Sequence, residues 1–217
     1  ITEKEIEEAS VKVMMGPEKK SHVVTDEERR LTAYHETGHA ITGYFCKHHD
    51  PVHQISIISR GGAGGYTMYL PEKDPSYVTK TAMFENIVSL LGGRVAEQLV
   101  LDDISTGASN DIEQATKLAR AMVTRYGMTD EFDMVAMETV TNQYLGGDTS
   151  LACSADTQKE IDKKVVETVK AQHEKARRLL AEHRSKLDEL AKYLYEKETI
   201  TGSEFMKILQ DKEGAAK

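Results

Sequence analysis

The chain has 217 residues, 39% of them hydrophobic and 29% charged, and its formal net charge is −8. This length allows one good-sized core, or a main domain with a small appendage. The acidic balance argues against a nucleic-acid partner, because phosphate contacts need clustered Lys and Arg, and no basic stripe interleaved with aromatic residues is present. No apolar run approaches the ~20 residues that span a bilayer. Cys46 and Cys153 form no CxxC pair, so we expect free thiols in a reducing compartment.

The first predicted element is a helix over residues 1–15, which a Gly-Pro dipeptide ends. Residues 16–24 are then expected to be a charged linker. Thr25 followed three residues later by Glu28 is a capping-box pattern. It predicts a second helix that runs to about Lys47 and ends before an Asp-Pro dipeptide.

A small sheet is predicted next. Residues 52–59 alternate and are rich in β-branched side chains, so they are predicted to form a strand. The glycine-rich segment 61–65 is a flexible turn, and residues 66–70 are predicted to return as a second strand. From residue 76 to about 101 the pattern is helical again, with two adjacent glycines at 92–93. Two glycines cost a helix about 2 kcal/mol relative to alanine, so they suggest close packing against another element.

The remaining elements are mostly helical, so the predicted fold class is mainly α with a small antiparallel β-sheet. The charged tail, residues 211–217, is expected to be disordered. The expected elements are a helix from about 110 to 126, a loose hairpin over 130–147, a long charged helix over 155–182, a shorter one over 184–196 and a last short helix after Thr201.

The second helix carries the sequence His35-Glu36-Thr37-Gly38-His39, an HExxH motif. On a helix, positions i and i+4 share one face, so both imidazoles can reach one Zn²⁺ at about 2.0–2.1 Å. Glu36 directly follows His35 in the sequence, and at this position its carboxylate can act as general base on a water activated by the metal. The small Gly38 leaves room beside the metal for a packed neighbour.

A catalytic zinc needs a third protein ligand and an open position for water. Acidic residues at the ends of later helices are the candidates, namely Glu97, Asp102, Asp103 and Asp111. Spacing alone does not choose between Glu97 and Asp111. Three further histidines are too close to the motif in sequence to fold back easily onto the same metal and are expected on the surface: His48, His49 and His53.

Several separated segments, taken with the HExxH motif, resemble the peptidase domain of FtsH-type AAA metalloproteases. They match in order over essentially the whole chain: GPEKKS (16–21), LLGGRVAEQL (90–99), STGASNDIEQAT (105–116) and RYGMTD (125–130). By this resemblance, residues 1–15 look like the C-terminal remnant of the preceding ATPase module, and 25–210 are the zinc peptidase domain. A phosphate-binding GxxxxGK[ST] loop is missing from the sequence, and GGAGG is no substitute because it lacks the Lys and the following helix.

The resemblance implies specific roles for residues. Asp111 corresponds to the aspartate of the TGAxxD segment and is implied as the third zinc ligand. Glu97 is implied to hold a ligating imidazole in orientation, although an ion pair with Arg94 is an equal alternative. One Zn²⁺ per chain is implied, with ATP and Mg²⁺ needed only by the missing ATPase module. Thr37 stands where many relatives carry Ala, a small change.

The resemblance also implies partners and location. Family members cleave unfolded or extracted polypeptides that the ATPase delivers, and they assemble as homo-hexamers. The long helix 155–182 could serve that assembly, although a solvated charged face is the more frequent case. The chain is expected to be a soluble fragment, and its parent is expected at a membrane, either the cytoplasmic face of the bacterial inner membrane or an organellar equivalent, held there by segments absent from this chain.

An extended substrate suits addition to a strand edge. The strand formed by Ile55, Ser56, Ile57, Ile58 and Ser59, beside the glycine-rich turn, is the predicted edge, with an ordinary half-buried strand as the alternative.

The function that follows is a zinc-dependent endopeptidase domain. One alternative is a non-catalytic assembly module with a structural zinc site, and another is a zinc hydrolase that acts on something other than peptides. Glu36 favours the enzyme, since a structural site needs no free carboxylate and is usually closed by a fourth Cys or His.

Overall fold

The computed structural model describes residues 2–18, 24–71, 76–141 and 148–210. Most of the predicted linker and the predicted tail lie outside these residues. In chain order the elements are α1 (Glu3–Met15), α2 (Asp26–Tyr44), β1 (Val52–Ser56), β2 (Tyr66–Tyr69), α3 (Lys80–Leu101), a 3₁₀ turn (Thr106–Ala108), α4 (Ser109–Thr124), β3 (Glu138–Thr141), β4 (Asp148–Leu151), α5 (Ala155–Glu182), α6 (Arg184–Lys197), β5 (Thr199–Thr201) and α7 (Gly202–Gln210).

These elements confirm the predicted class, mainly α with a small antiparallel sheet. The capping box at the start of α2 is present, because the Thr25 hydroxyl accepts from the Glu28 amide and the Glu28 carboxylate accepts from the Thr25 amide. That helix ends three residues before its predicted end, at Tyr44. The predicted hairpin lies later in the chain than expected, in the strands β3 and β4. Among the described residues, no helix is both long and apolar enough to cross a bilayer.

The three-stranded sheet has the order β2-β1-β5, so β1 is its central strand. Ile55 lies opposite Thr67 on one side and Ile200 on the other. The third strand, β5, was not predicted from the sequence. The chain reverses after α6 at Glu198, whose φ of 63° is left-handed, and returns along β1.

The central position of β1 corrects the prediction for the substrate strand. Ile55 and Ser56 are paired on both sides, and the strand ends at Ser56, before Ile57, Ile58 and Ser59. The amide of Ile57 donates to the carbonyl of Glu198, so it too is occupied. The prediction of a free edge is therefore wrong for residues 55–57, because a short strand distant in sequence and the Glu198 carbonyl occupy their second side, while residues 58–59 lie beyond the strand.

Two larger hydrophobic cores hold most of the described helices together, and a third, smaller cluster joins α1 to β2. The first lies between α2, the C-terminal part of α5, α6, α7 and the sheet, with residues of α3, and its fully buried members include Ile41, Ile55, Leu190 and Phe205. The second lies between α3, α4 and α5, around Ile87, Met122, Ile161 and Val165. Helix α3 contributes to both cores, because Val88 and Val95 belong to the first. It therefore forms a wall between the HExxH helix on one side and α4 on the other.

Candidate metal centre and active-site cleft

Three side chains from two helices converge on one point. On α2, His35 and His39 lie one turn apart, each 8% exposed, and their Nε2 atoms are 3.0 Å apart. Asp111, in the first turn of α4, places its Oδ2 atom 3.3 Å from Nε2 of His35 and 3.5 Å from Nε2 of His39. Ligands at 2.0–2.1 Å from a tetrahedral zinc are ~3.3–3.4 Å from one another. The spacing of the three atoms therefore fits Zn²⁺.

Hydrogen-bond partners at Nδ1, the ring nitrogen that faces away from the metal position, fix the orientation of both imidazoles. The Nδ1 atom of His35 lies 2.6 Å from Oε1 of Glu97, and Nδ1 of His39 lies 2.8 Å from the carbonyl oxygen of Ser89. Because these partners are acceptors, the proton of each neutral ring belongs on Nδ1, which leaves the Nε2 lone pair for a metal. The backbone of α3 thus orients one imidazole, and a carboxylate on the same helix orients the other.

Glu97 is fully buried and joins three groups. Besides His35, it accepts hydrogen bonds from the backbone amide of Ser105 at 2.8 Å and from the hydroxyl of Ser105 at 3.1 Å. Arg94 Nε lies 3.6 Å from its other oxygen. The sequence left two alternatives for Glu97, and both contacts are present: Glu97 contacts the imidazole and the arginine.

Glycines let α3 approach the HExxH helix closely enough for these contacts. A Cβ on Gly38 would lie 2.5 Å from the carbonyl oxygen of Gly92, so the two backbones touch where α2 and α3 cross. A Cβ on Gly93 would lie 2.5 Å from Nε2 of His35 and 2.6 Å from Nε2 of His39. Any side chain at Gly93 would fill the metal position. The prediction of close packing at 92–93 is confirmed.

Asp111 reaches the centre because of the turn that precedes α4. The Ser105 hydroxyl accepts from the amide of Gly107 and starts the 3₁₀ turn, which leads directly into α4. Asp111 then lies in the first helical turn, where the partial positive charge of the helix N-terminus stabilises an anion. The position of Asp111 in this turn could not be predicted from the spacing of residues in the sequence alone.

Charges around the centre favour a cation. Burial opposes protonation of His35, but hydrogen bonds to Asp111 and Glu97, with the nearby charge of Glu36, raise the pKa of its imidazole to about 10. Burial likewise opposes ionisation of Asp111, but hydrogen bonds from His35 and His39 hold the pKa of that carboxyl well below its usual range. The raised pKa of His35 favours a protonated ring in the absence of metal, and a metal ion would compete with that proton.

Glu36 lies beside the three convergent groups but is not one of them. It is 7% exposed, and burial raises the pKa of its carboxyl, opposed by the charges of His39 and His35. Its Oε2 atom lies 2.9 Å from the hydroxyl of Thr67 on β2. A Cβ on Gly65 would come within 3.0 Å of its Cγ. The start of β2 therefore confines this carboxylate.

The site opens into a cleft of about 900 Å³. One wall is α2, and the others are formed by the glycine-rich segment, β2, the middle of α3 and the turn before α4. Lining residues beyond those at the centre include Met15, Leu31, Gly64, Tyr69, Asn86 and Leu90. The cleft is open, and both polar and apolar side chains line it.

The free sheet edge at this cleft belongs to β2. Among the described strands, β2 pairs only with β1, and Tyr66, Thr67 and Tyr69 line the cleft. Its alternation places Tyr66 and Met68 against Val11 of α1, and Thr67 and Tyr69 toward the site. Sequence reasoning missed these residues, although the period of two along a strand places the hydroxyls of Thr67 and Tyr69 on one face.

The three additional histidines lie outside the convergent set, as expected, but the expected surface position holds only for His48, since His49 and His53 are partly buried. Among the described residues, the set that could hold a metal consists of His35, His39 and Asp111. The exposed His48 bonds to Glu85, while His49 lines the cleft with its ring against that of Tyr69, 4.4 Å between centroids. Cys46 and Cys153 are free thiols, and burial raises the pKa of the Cys46 thiol to about 11.

By its helical fold and its convergent histidines and aspartate, the molecule falls into the class of HExxH metalloproteins. Comparison with known sequences narrows this class. The profile of peptidase family M41 matches residues 22–208. The ATP-dependent zinc metalloprotease FtsH of Caldicellulosiruptor bescii is 49% identical over 96% of this chain and 34% of its own length. FtsH 1 of Thermoanaerobacter sp. is 46% identical over 99% of this chain and 36% of its own.

FtsH of Thermus thermophilus is 43% identical over 97% of this chain and 34% of its own length. The chain therefore belongs to peptidase family M41, and these relatives are named zinc metalloproteases. It spans about a third of the length of the curated relatives that it matches.

Proposed function

We propose that this chain is a zinc endopeptidase domain, with one Zn²⁺ held by His35, His39 and Asp111 and with Glu36 as the general base. The observation that carries the proposal is the convergence of three ligand atoms, all within 4.8 Å of one another, at the floor of an open cleft. The donor set of two imidazoles and one carboxylate suits Zn²⁺ in catalytic sites. Zinc bound there would lower the pKa of water toward ~7 and polarise the substrate carbonyl.

The residues of the chain supply the proton transfers. Glu36 is the buried carboxylate beside the ligand set, so it accepts a proton at a carboxylate oxygen as water attacks the peptide carbonyl. The same group then donates that proton to the leaving amine. Glu97 and the Ser89 carbonyl keep Nδ1 of His35 and His39 engaged, so that both rings present Nε2 to the metal.

The substrate is proposed to be an unfolded or extracted polypeptide that binds as an added strand. Backbone hydrogen bonds to a strand edge bind a chain with little demand on its sequence. Since β1 is covered on both sides, the outer edge of β2 takes this role in place of residues 55–59. That edge adjoins Glu36 through Thr67, so an added strand would run past the base.

The rest of the parent protein is proposed to provide the motor. The relatives are named ATP-dependent, and this chain spans about a third of their length. We propose that residues 1–15 end an ATPase module, with 16–24 as linker and 25–210 as the peptidase domain. ATP and Mg²⁺ would bind that module, the assembly would be a homo-hexamer, and segments outside this chain would place the parent protein at a membrane.

A non-catalytic assembly module with a structural zinc makes a different prediction. Structural zinc sites are usually closed by four protein ligands. Among the described residues three groups gather, and the cleft opens beside them. This arrangement favours catalysis.

The first test is zinc content. Purified wild-type protein should hold one Zn²⁺ per chain, and Asp111→Ala should lower zinc affinity more than about 100-fold, because changes behind the ligands already cost 10–100-fold. Glu113→Ala is the matched control, since Glu113 is an exposed acid on the same helix, paired with Lys117. Wild-type affinity in Asp111→Ala would remove Asp111 from the ligand set and leave Glu97 as the candidate.

The second test separates the base from the ligands. Glu36→Gln should retain zinc and lose about 10²–10⁴-fold in the rate of cleavage of an unfolded protein such as casein, since general-base catalysis has this magnitude. Full activity with retained zinc would contradict the role of Glu36. Loss of zinc in this variant would make Glu36 part of the metal site.

A further inference from the structure

We infer that Thr67 is a positioning residue, which holds the carboxylate of Glu36 in the orientation that the proton transfer requires. The inference rests on the proposed role of Glu36 as general base. It adds a residue on the sheet to the proposed ligands and base, which lie on α2 and α4. Its basis is the contact geometry at the crossing of β2 and α2.

The hydroxyl of Thr67 contacts Glu36 twice. Its Oγ1 atom lies 2.9 Å from Oε2 of the carboxylate and 3.0 Å from the backbone carbonyl oxygen of the same residue. The hydroxyl has a single proton, and the carboxylate is the stronger acceptor, because hydrogen bonds to an ionised group are roughly twice as strong as neutral ones. The carboxylate therefore receives the hydrogen bond, and Oε1 is left for the proton of the reacting water.

The surroundings leave the Glu36 carboxylate few other orientations. Among the described residues, the hydrogen bonds found for its carboxylate come from Thr67, and the side chain is 7% exposed. The backbone at Gly65 closes the space next to Cγ, where even a methyl group would come within 3.0 Å. A buried carboxylate with one donor takes its orientation from that donor.

The position of Thr67 is itself fixed by the sheet. It lies opposite Ile55 of the central strand, which is fully buried and paired on its other side with Ile200. On the opposite face of β2, Tyr66 and Met68 pack against α1. The hydroxyl is therefore carried by a paired strand and can hold Glu36 in place without moving with it.

Thr67→Val tests this inference, because valine keeps the shape and removes the hydroxyl. We expect zinc content to stay at the wild-type value, KM for casein to stay within about twofold and kcat to fall roughly tenfold, the size expected for the loss of one hydrogen bond to a charged group. Thr67→Ser, which keeps the hydroxyl, should restore most of kcat. Thr116→Val is the matched control: its hydroxyl bonds the Ile112 carbonyl within α4 and it does not line the cleft.

A second measurement does not depend on turnover. A simple hydroxamic acid bound to the zinc needs an acceptor for its N–OH proton, and Glu36 is placed to accept it. Calorimetry should show a roughly tenfold higher Kd in zinc-loaded Thr67→Val and wild-type affinity in Thr67→Ser and Thr116→Val. A lower melting temperature in Thr67→Val with unchanged kcat and unchanged Kd would overturn the inference and leave a structural role.

Glu36→Gln distinguishes this failure from failure of the proposed function. If Glu36→Gln loses cleavage and hydroxamate affinity while Thr67→Val loses neither, the proposed function stands and the positioning role is wrong. If Glu36→Gln itself keeps both, the base has been misassigned, and the inference falls with it.

Discussion

His35 shows most directly how the neighbours of a single residue control metal binding. Its ring lies between two carboxylates, 2.6 Å from Glu97 and 3.3 Å from Asp111. These contacts raise the pKa of the imidazole to about 10 despite its burial. Below that pH the metal-free ring carries a proton, and a metal needs the neutral ring. The proton and the metal ion therefore compete for the same place.

Zinc binding should for this reason release about one proton per chain between pH 7 and 9, and the apparent affinity should rise about tenfold per pH unit in that range. Calorimetry in two buffers of different ionisation enthalpy counts the protons. Glu97→Gln removes one of the charges that hold the proton, so the pH dependence should level off at a lower pH. Zinc binding without any proton release would contradict the raised pKa of His35.

At the scale of elements, the crossing of α2 and α3 is what builds the site. In Gly92→Ala, removing a helical glycine would gain about 1 kcal/mol in helix propensity. The added methyl would lie 2.6 Å from the Gly38 carbonyl oxygen, and backbone cannot give way as a flexible side chain can. Overpacking of this kind costs typically ~1–3 kcal/mol or more, so we expect a net loss of about 2 kcal/mol in the free energy of unfolding.

Urea unfolding measures this loss, and Gly62→Ala is the control. A Cβ on Gly62 meets nothing within 4 Å, so its substitution should stay within about 0.5 kcal/mol. If both variants unfold at the wild-type urea concentration, the helices do not depend on the glycine contact.

The elements that the sequence predicted well are those whose signals are local. Helix α5 has the predicted bounds, 155–182, because its periodicity and its cap at Ser154 lie within the segment itself. Strand β5 was missed because three residues, Thr199–Thr201, carry no usable pattern, and their pairing with β1 spans more than 140 residues of chain. The wrong edge prediction for 55–59 followed from this omission.

The residues of the candidate site likewise divide into those that a local motif predicts and those that depend on distant contacts. His35, Glu36 and His39 follow from one motif on one helix. Asp111 lies 72 residues beyond His39 in sequence, and spacing could not separate it from Glu97; the family resemblance supplied that choice. Thr67 went unpredicted because a hydroxyl on a strand acquires meaning only from the side chain that tertiary packing places beside it.

At the scale of the whole molecule, the proposed zinc connects the two hydrophobic cores. The histidines belong to α2 and the first core, while Asp111 belongs to α4, which packs in the second core with α3 and α5. A metal that binds the folded chain and not the unfolded one adds to stability, by about 2.7 kcal/mol at a free concentration 100 times Kd. For a chain of this size, each kcal/mol shifts the melting temperature by about 2–4 °C.

Chelation should accordingly lower the melting temperature by about 5–11 °C relative to protein with zinc at 100 times Kd. Differential scanning calorimetry with and without a chelator gives this difference. In Asp111→Ala the difference should nearly vanish, because the link from α2 to α4 is gone, whereas Glu113→Ala on the same helix should keep it. Hydrogen exchange adds the location: on chelation, the exchange rate of amides in the first turns of α4 should increase more than that of amides in α6, which packs only in the first core. Equal melting temperatures with and without zinc would mean that the metal does not join the two cores.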